Sequence, residues 1–313
     1  MQGRTRKMRI GIIGIGGVGG YFGGKLAGAY ASTGQHEIIF FARGGQHLES
    51  IQQSGLQLRT EEGNYVVWPN IATDDAAVAG ILDLVFVCVK SYSLESAALS
   101  LKKNIDKNTV VIPLLNGINS AERLRAVLPE ALIVSGSVYI ISHLEKPGIV
   151  HQEGGACRLT FGTDDPESAL TYSNILNVLK RAKIDAVLTD KISEALWTKY
   201  LLMCPLASLT SATSKTYGAI LEDPALRKRA RNMMQEVAQV ARARHILLPE
   251  DIVEKTMAMI ARFGYDSKTS MQLDREKGSQ TEIDTLTVFL CRAGRESEIP
   301  TPLHDEVLRQ LVG

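Results

Sequence analysis

An α/β fold, in which a doubly wound parallel sheet domain is followed by an all-helical C-terminal domain, is predicted by three features of the sequence. A glycine-rich turn lies between an apolar strand and a helix near the N-terminus; short apolar runs then alternate with helical segments up to about residue 190; long helical periods without strand patterning follow. At 313 residues the chain is too long for one ordinary core, and the change of texture sets two domains, residues 8–190 and 191–313.

The first strand carries Ile10, Ile12 and Ile13 and runs directly into Gly14-x-Gly16-x-x-Gly19, with a helix expected over residues 21–30. Gly14 permits a tight turn, Gly16 removes a Cβ that would block a pyrophosphate, and Gly19 lets the helix lie close to the strand. The helix then aims free N–H groups and the positive end of its dipole at the phosphates. Strand, turn and helix in this order form the Rossmann-type dinucleotide-binding arrangement. A second strand, residues 37–42, follows where an adenosine ribose should lie, and it ends in Arg43, Gly44 and Gly45 rather than in an acid. A carboxylate there would suit the ribose hydroxyl of NAD and repel a 2′-phosphate, whereas Arg43 attracts one, so NADP(H) is the expected cofactor.

Further strands are expected over residues 83–89, 109–114 and 132–138, because near-continuous apolar runs suit parallel strands covered on both faces. Residues 148–162 read as a hairpin or extended ribbon, 166–182 as a helix and 186–188 as a short strand. In the second domain, residues 224–243 repeat apolar side chains at helical spacing (Leu226, Ala230, Met233, Met234, Val237, Ala238, Ala241). Pro249 suits the first position of a helix running to about residue 262. Another helix is expected from Glu282, with Ile283, Leu286, Phe289, Leu290 and Ala293 facing inward, and a last one after Pro302.

Composition excludes several function classes. With 35 Lys+Arg against 34 Asp+Glu there is no basic excess to drive nucleic-acid or membrane-surface binding, and a small molecule is the expected partner. Cys88, Cys157, Cys204 and Cys291 are widely spread and read as buried thiols, neither a disulfide framework nor a metal cluster. His36, His47, His143, His151, His245 and His304 show no metal-ligand spacing, so no metal is expected. The start MQGRTRK is basic with no apolar leader, and the apolar stretch 201–209 is too short to span a bilayer, which makes cytoplasmic residence the expectation. Apolar helices in the second domain are compatible with a homodimer.

Ligands of open α/β sheets collect beyond the carboxyl ends of the strands, where two polar residues stand: Lys90 after DLVFVCV and Asn116 before Gly117. Either is also ordinary strand-end punctuation. Lys199 is the only charged side chain between Glu194 and Lys215, on an otherwise largely apolar helix. Such a lysine either snorkels to water or holds its ammonium at a dry cleft, where burial lowers its pKa and suits it to proton transfer. At a cleft between the two domains it could neutralise the oxyanion that develops when hydride reaches a carbonyl. Glu282 sits three residues after Ser279, which also fits a simple capping box. Ser270, Asp274 and Asp284 carry no message on their own.

Taken together, these segments resemble the ketopantoate reductase family, enzymes that reduce 2-dehydropantoate to pantoate with NADPH on the route to pantothenate and coenzyme A. The similarity runs from GIIGIGGVGG through the Arg43 strand end, VCVKS around Lys90, LLNGINSAERL around Asn116 and ALWTKY around Lys199 to TSMQLD and TEID around Ser270 and Glu282. The resemblance implies Lys199 as the general acid, Glu282 beside it positioning the substrate hydroxyl or the lysine, Asn116 at the nicotinamide and the substrate, Lys90 at the cofactor, and Ser270 at the substrate carboxylate. One departure stands out. Family members carry asparagines one and two helical turns after the lysine, where this chain has Met203 and Ala207, and another three residues before the serine, where it has Ser267. The first two changes replace polar substrate contacts with apolar surface on the lysine's face. Two alternatives follow: an NADPH-dependent reductase of a more apolar 2-keto acid, and a non-catalytic protein that senses NADP(H) through a degenerate cleft.

Overall fold

The computed structural model describes residues 7–313; the basic start of the chain, residues 1–6, lies outside the described residues. The chain divides into two compact units, Met1–Leu115 with Asn119–Ile192, and Asn116–Ile118 with Ser193–Gly313.

The strands of the first unit are β1 (Arg9–Ile13), β2 (Glu37–Phe41), β3 (Leu56–Thr60), β4 (Gly63–Val67), β5 (Ile71–Thr73), β6 (Leu84–Val87), β7 (Val110–Pro113), β8 (Leu132–Ile133), β9 (Ser135–Lys146), β10 (Ile149–Gly162) and β11 (Asp185–Thr189). Its helices are α1 (Gly17–Tyr30), α2 (Gln46–Ser54), α3 (Leu94–Ser100), α4 (Ser120–Val127), α5 (Pro166–Thr171) and α6 (Ser173–Arg181). One sheet is wholly parallel in the order β5-β2-β1-β6-β7-β8, the doubly wound arrangement expected from the apolar runs. A second sheet has the order β11-β10-β3-β4, with β9 antiparallel to β10. Helix α1 packs between them: Phe22 and Leu26 share one core with Ile10, Ile12 and Phe40 of the first sheet and with Leu58, Val150 and Leu159 of the second. The opposite face of the first sheet is covered by α3 and α4 through Leu94, Ala98 and Leu124, packed against Val85 and Val111.

Three readings of the sequence are corrected here. The apolar run 132–138 is not one strand: Leu132 and Ile133 pair with β7, and the chain then leaves for the second sheet at Ser135. The helix expected over 166–182 is broken at Tyr172 into α5 and α6. Helix α1 begins at Gly17 rather than Tyr21, with Gly16 as its N-cap, so Gly19 already lies inside its first turn.

The second unit is helical: α7 (Ile192–Thr213), α8 (Tyr217–Glu222), α9 (Pro224–Ala243), α10 (Ile252–Ile260), α11 (Ser270–Glu276), α12 (Phe289–Glu296) and α13 (Pro302–Val312). A π-helical segment, Asp284–Val288, leads into α12. Pro249 does not open α10; it lies before it and accepts the Ile252 N–H, so the helix starts later than expected. Asp223 caps α9 through the Ala225 and Leu226 N–H groups ahead of Pro224 at the first helical position. The buried Glu236 carboxylate of α9 caps α13 from outside that helix: it accepts from the Leu303 and His304 N–H groups at 2.8 and 3.2 Å and meets His304 Nδ1 at 2.6 Å. Burial holds the His304 imidazole below its ordinary pKa, with Glu236 opposing.

Candidate active site

In the first unit the glycine turn is built by contacts that leave no freedom at two positions. Gly14 has φ +90° and donates its N–H to the Phe41 carbonyl at the end of β2 at 3.0 Å, tying the turn to the neighbouring strand. A Cβ on Gly19 would lie 2.0 Å from the Gly14 carbonyl oxygen, so only glycine allows α1 this close to the turn. Gly16 is different: a Cβ there would meet nothing within 4 Å. The space it leaves adjoins the first turn of α1, whose N-terminus has neither a side-chain cap nor an acid. Unpaired N–H groups and the dipole's positive end at an open position fit a pyrophosphate.

His47 braces the turn from α2. Its Nδ1 accepts the Gly148 N–H at 2.9 Å, which leaves the proton on Nε2 to be donated to the Ile15 carbonyl at 2.6 Å. The imidazole is therefore neutral, and burial, the larger influence, holds its pKa below the ordinary value. Arg43 is exposed just beyond β2. The structure adds a neighbour the sequence did not reveal: Asp74, whose carboxylate oxygen lies 2.7 Å from where a Cβ on Gly44 would stand. Lys90 is half-buried beyond β6, at the start of a single 3₁₀ turn, Ser91–Ser93.

In the second unit three of the expected residues come together. Lys199 Nζ donates to Asn116 Oδ1 at 3.0 Å, and Asn116 Nδ2 donates to Glu282 Oε2 at 3.3 Å. The amide thus bridges ammonium and carboxylate, with its oxygen toward the cation and its nitrogen toward the anion. Desolvation lowers the Lys199 pKa to about 8, with the nearby Glu282 charge opposing. Glu282 is 5% exposed and holds this position instead of capping a helix; Ser279 is exposed and bonds Asp274 through its backbone. Gly117 lets the Asn116 loop press on the π segment, since a Cβ there would lie 3.0 Å from Thr285 Cβ.

The same unit fixes these groups through buried polar contacts with no signal in the sequence pattern. Tyr200 Oη donates to the Leu286 carbonyl at 2.6 Å, and Ser208 Oγ pairs with Thr287 Oγ1 at 2.7 Å, so α7 grips the π segment on both sides of Pro205. The Val288 N–H bonds the Ile283 carbonyl at 3.1 Å, five residues back, which widens the helix directly after Glu282. Other expected site residues are placed less centrally. Ser270 is exposed at the first position of α11, whose cap is the neighbouring Thr269. Met203 is half-buried one turn after Lys199, whereas Ala207 is 1% exposed and sealed among packed side chains. Of the two apolar replacements, Met203 presents surface.

Comparison with known proteins matches this geometry to a family. The family model "Ketopantoate reductase PanE/ApbA" matches residues 10–166, and its C-terminal companion matches residues 191–312. The chain belongs to the ketopantoate reductase family. It is 30% identical to a 2-dehydropantoate 2-reductase of Mesorhizobium japonicum, covering 96% of both chains, and 28% identical to an uncharacterized oxidoreductase of Bacillus subtilis, covering 97% of this chain and 98% of the other. A crystal structure of a PanE/ApbA family ketopantoate reductase from Ralstonia eutropha superposes with a TM-score of 0.86 at 31% identity, over 97% of this chain and 98% of that one. Members of this family are NAD(P)-dependent oxidoreductases that act on small keto acids. No helix among the described residues is long and apolar enough to cross a membrane. All four cysteines are free; Cys204 and Cys291 are buried as expected, but Cys88 and Cys157 are only half-buried.

The two glycines can be separated experimentally. Gly19→Ala should destabilise the protein by about 1–3 kcal/mol, as overpacking does, whereas Gly16→Ala should leave its urea midpoint unchanged and weaken dinucleotide binding measured by fluorescence titration. Equal stability losses in the two variants would refute the assignment of Gly16 to the phosphates.

Proposed function

We propose that the protein reduces 2-dehydropantoate to pantoate with NADPH, in pantothenate and coenzyme A biosynthesis, with Lys199 as the general acid. The observation that carries this reading is the Lys199–Asn116–Glu282 array, an ammonium of lowered pKa held in place by an amide and a buried carboxylate. Bound NADPH supplies the hydride. As the substrate's C=O bond becomes C–H and C–O⁻, the Lys199 ammonium gives one proton to the oxygen and is left as the neutral amine. Asn116 keeps the ammonium in position, and Glu282 holds it charged in a site whose desolvation favours the neutral form. Family membership over both units supports the same reading.

A second reading rests on Met203. An apolar, half-buried side chain one turn from the acid favours a 2-keto acid with an aliphatic branch over one with a hydroxyl to satisfy. The sensing alternative has no comparable support, since the array is intact.

Lys199→Ala should lower kcat by roughly 10²–10⁴-fold, the usual loss for a general acid, while NADPH still binds. In the unaltered enzyme kcat should fall as pH rises through about 8, because the acting form is the ammonium. Glu282 raises that pKa, so Glu282→Gln should move the alkaline limb to lower pH; an unmoved limb in stopped-flow pH profiles would exclude Lys199 as the titrating acid. Arg43→Ala should cost about 1.5–3 kcal/mol of NADPH affinity, as for one charge-assisted hydrogen bond, and little NADH affinity; equal losses would argue against the 2′-phosphate contact. Measuring kcat/KM for 2-dehydropantoate and for 2-ketoisovalerate decides the substrate: preference for the latter reverses the first reading in favour of the second.

A further inference from the structure

We propose that the β9–β10 hairpin carries a divalent transition-metal site made by His143, His151 and Glu153, and that Zn²⁺ is the ion it takes. In sequence these residues show no ligand spacing; the sheet register assembles them. His143 on β9 and His151 on β10 are direct antiparallel partners, so their side chains leave the same face side by side, with ring centroids 5.6 Å apart. The register then shifts between Gln152 and Gly154, leaving Glu153 as the unpaired residue of a bulge, which turns its carboxylate toward the histidines.

The separations decide between a mutual ion pair and a shared cation. Glu153 Oε1 is 3.9 Å from His143 Nδ1 and 3.7 Å from His151 Nδ1, and one ligand atom from each of the three residues can be chosen so that all lie within 4.8 Å of one another. These distances are too long for hydrogen bonds between the groups. Ligands on a tetrahedral Zn²⁺ with bonds of ~2.0–2.1 Å stand about 3.3 Å apart, so a small inward movement of three half-exposed side chains closes the site. Two imidazoles and one carboxylate suit Zn²⁺ and its neighbours, not Ca²⁺ or Mg²⁺, which want oxygen donors throughout. With side chains 48%, 39% and 50% exposed, the remaining coordination position is open to water.

The location gives the site a consequence. The Ser142–His143 backbone presses on the first turn of α1: a Cβ on Gly17 would lie 2.2 Å from the Ser142 carbonyl oxygen. At the tight end of the hairpin, in the turn between β9 and β10, the Gly148 N–H holds His47 against the glycine turn. An ion joining β9 to β10 would therefore stiffen the support of the phosphate-binding turn from outside the reacting groups.

The test uses tag-free, chelator-treated full-length protein titrated with Co²⁺, followed by Zn²⁺. The expected result is saturable visible d–d absorption at one equivalent, without a near-ultraviolet thiolate band, and displacement by Zn²⁺. The double variant His143→Asn/His151→Asn should lose the signal, and the near-isosteric Glu153→Gln should weaken Co²⁺ binding by more than the roughly 10–100-fold seen for loss of an outer-shell partner. Circular dichroism checks that both variants remain folded. Absence of saturable absorption in the unaltered protein, its survival in the double variant, or a thiolate band reporting cysteine ligation would each overturn the proposal.

Discussion

The proposed chemistry depends on one ammonium group, that of Lys199, whose surroundings lower its pKa. Desolvation lowers the Lys199 pKa, and the Glu282 charge opposes it. The balance, with a pKa of about 8, leaves it roughly nine-tenths protonated at pH 7 and still willing to release the proton. A lysine at its usual value of 10.5 would be protonated yet a much weaker acid. Asn116 contributes by geometry more than charge, since an amide oxygen 3.0 Å from the ammonium fixes its direction without stabilising the cation as a second carboxylate would.

Holding a carboxylate at 5% exposure beside that lysine requires the surrounding backbone to be fixed, and this explains the unusual local structure. The π segment Asp284–Val288 admits an extra residue into the turn after Glu282. Its widened backbone is secured by hydroxyls of α7 on either side of Pro205, a residue that itself breaks the helix's hydrogen-bond ladder. The two irregular segments are joined by the Tyr200–Leu286 and Ser208–Thr287 hydrogen bonds. Thr210 and Thr269, both buried and with hydroxyls 2.9 Å apart, repeat the device two residues further along α7 and link it to the cap of α11. Such networks are costly when half-satisfied and specify one arrangement when complete.

Most of the first sheet was legible because its inner strands are covered on both faces and therefore read as unbroken apolar runs, whereas the half-buried three-residue edge strand β5 gave no such run. The second sheet was legible only in β10 and β11, which match the ribbon 148–162 and the strand 186–188. β3 and β4 are short, with only one buried residue in β4, so they carry neither a continuous run nor a clean alternation over enough residues to register. The run 132–138 misled for the same reason in reverse: apolar content is continuous through a point where the chain changes sheets, and composition does not report a change of partner. At the site, Lys199 was legible as a lone charge in an apolar helix and Asn116 as a polar strand end. Glu282 was ambiguous, because Ser-x-x-Glu is a local pattern and what decides its role is an amide more than 160 residues away. His47 gave no signal at all, since a neutral imidazole bridging two backbone groups is a product of folding alone.

Reaction and substrate choice are separable in this architecture. On the proposed reading, Lys199, Asn116 and Glu282 would act on the carbonyl that every 2-keto acid shares, while Met203 would meet only what distinguishes one acid from another. An amide lost from such a position leaves a substrate hydroxyl desolvated without a partner, a penalty of about 1–3 kcal/mol. The methionine returns about 0.8 kcal/mol for each methylene it covers, which an aliphatic branch collects and a hydroxyl does not. The two terms act in the same direction, so under the second reading this one position would shift preference toward apolar substrates by about an order of magnitude. Since Ala207 is sealed inside the unit, such a shift would rest on Met203 alone, and the proposed proton transfer from Lys199 would be unaffected by it.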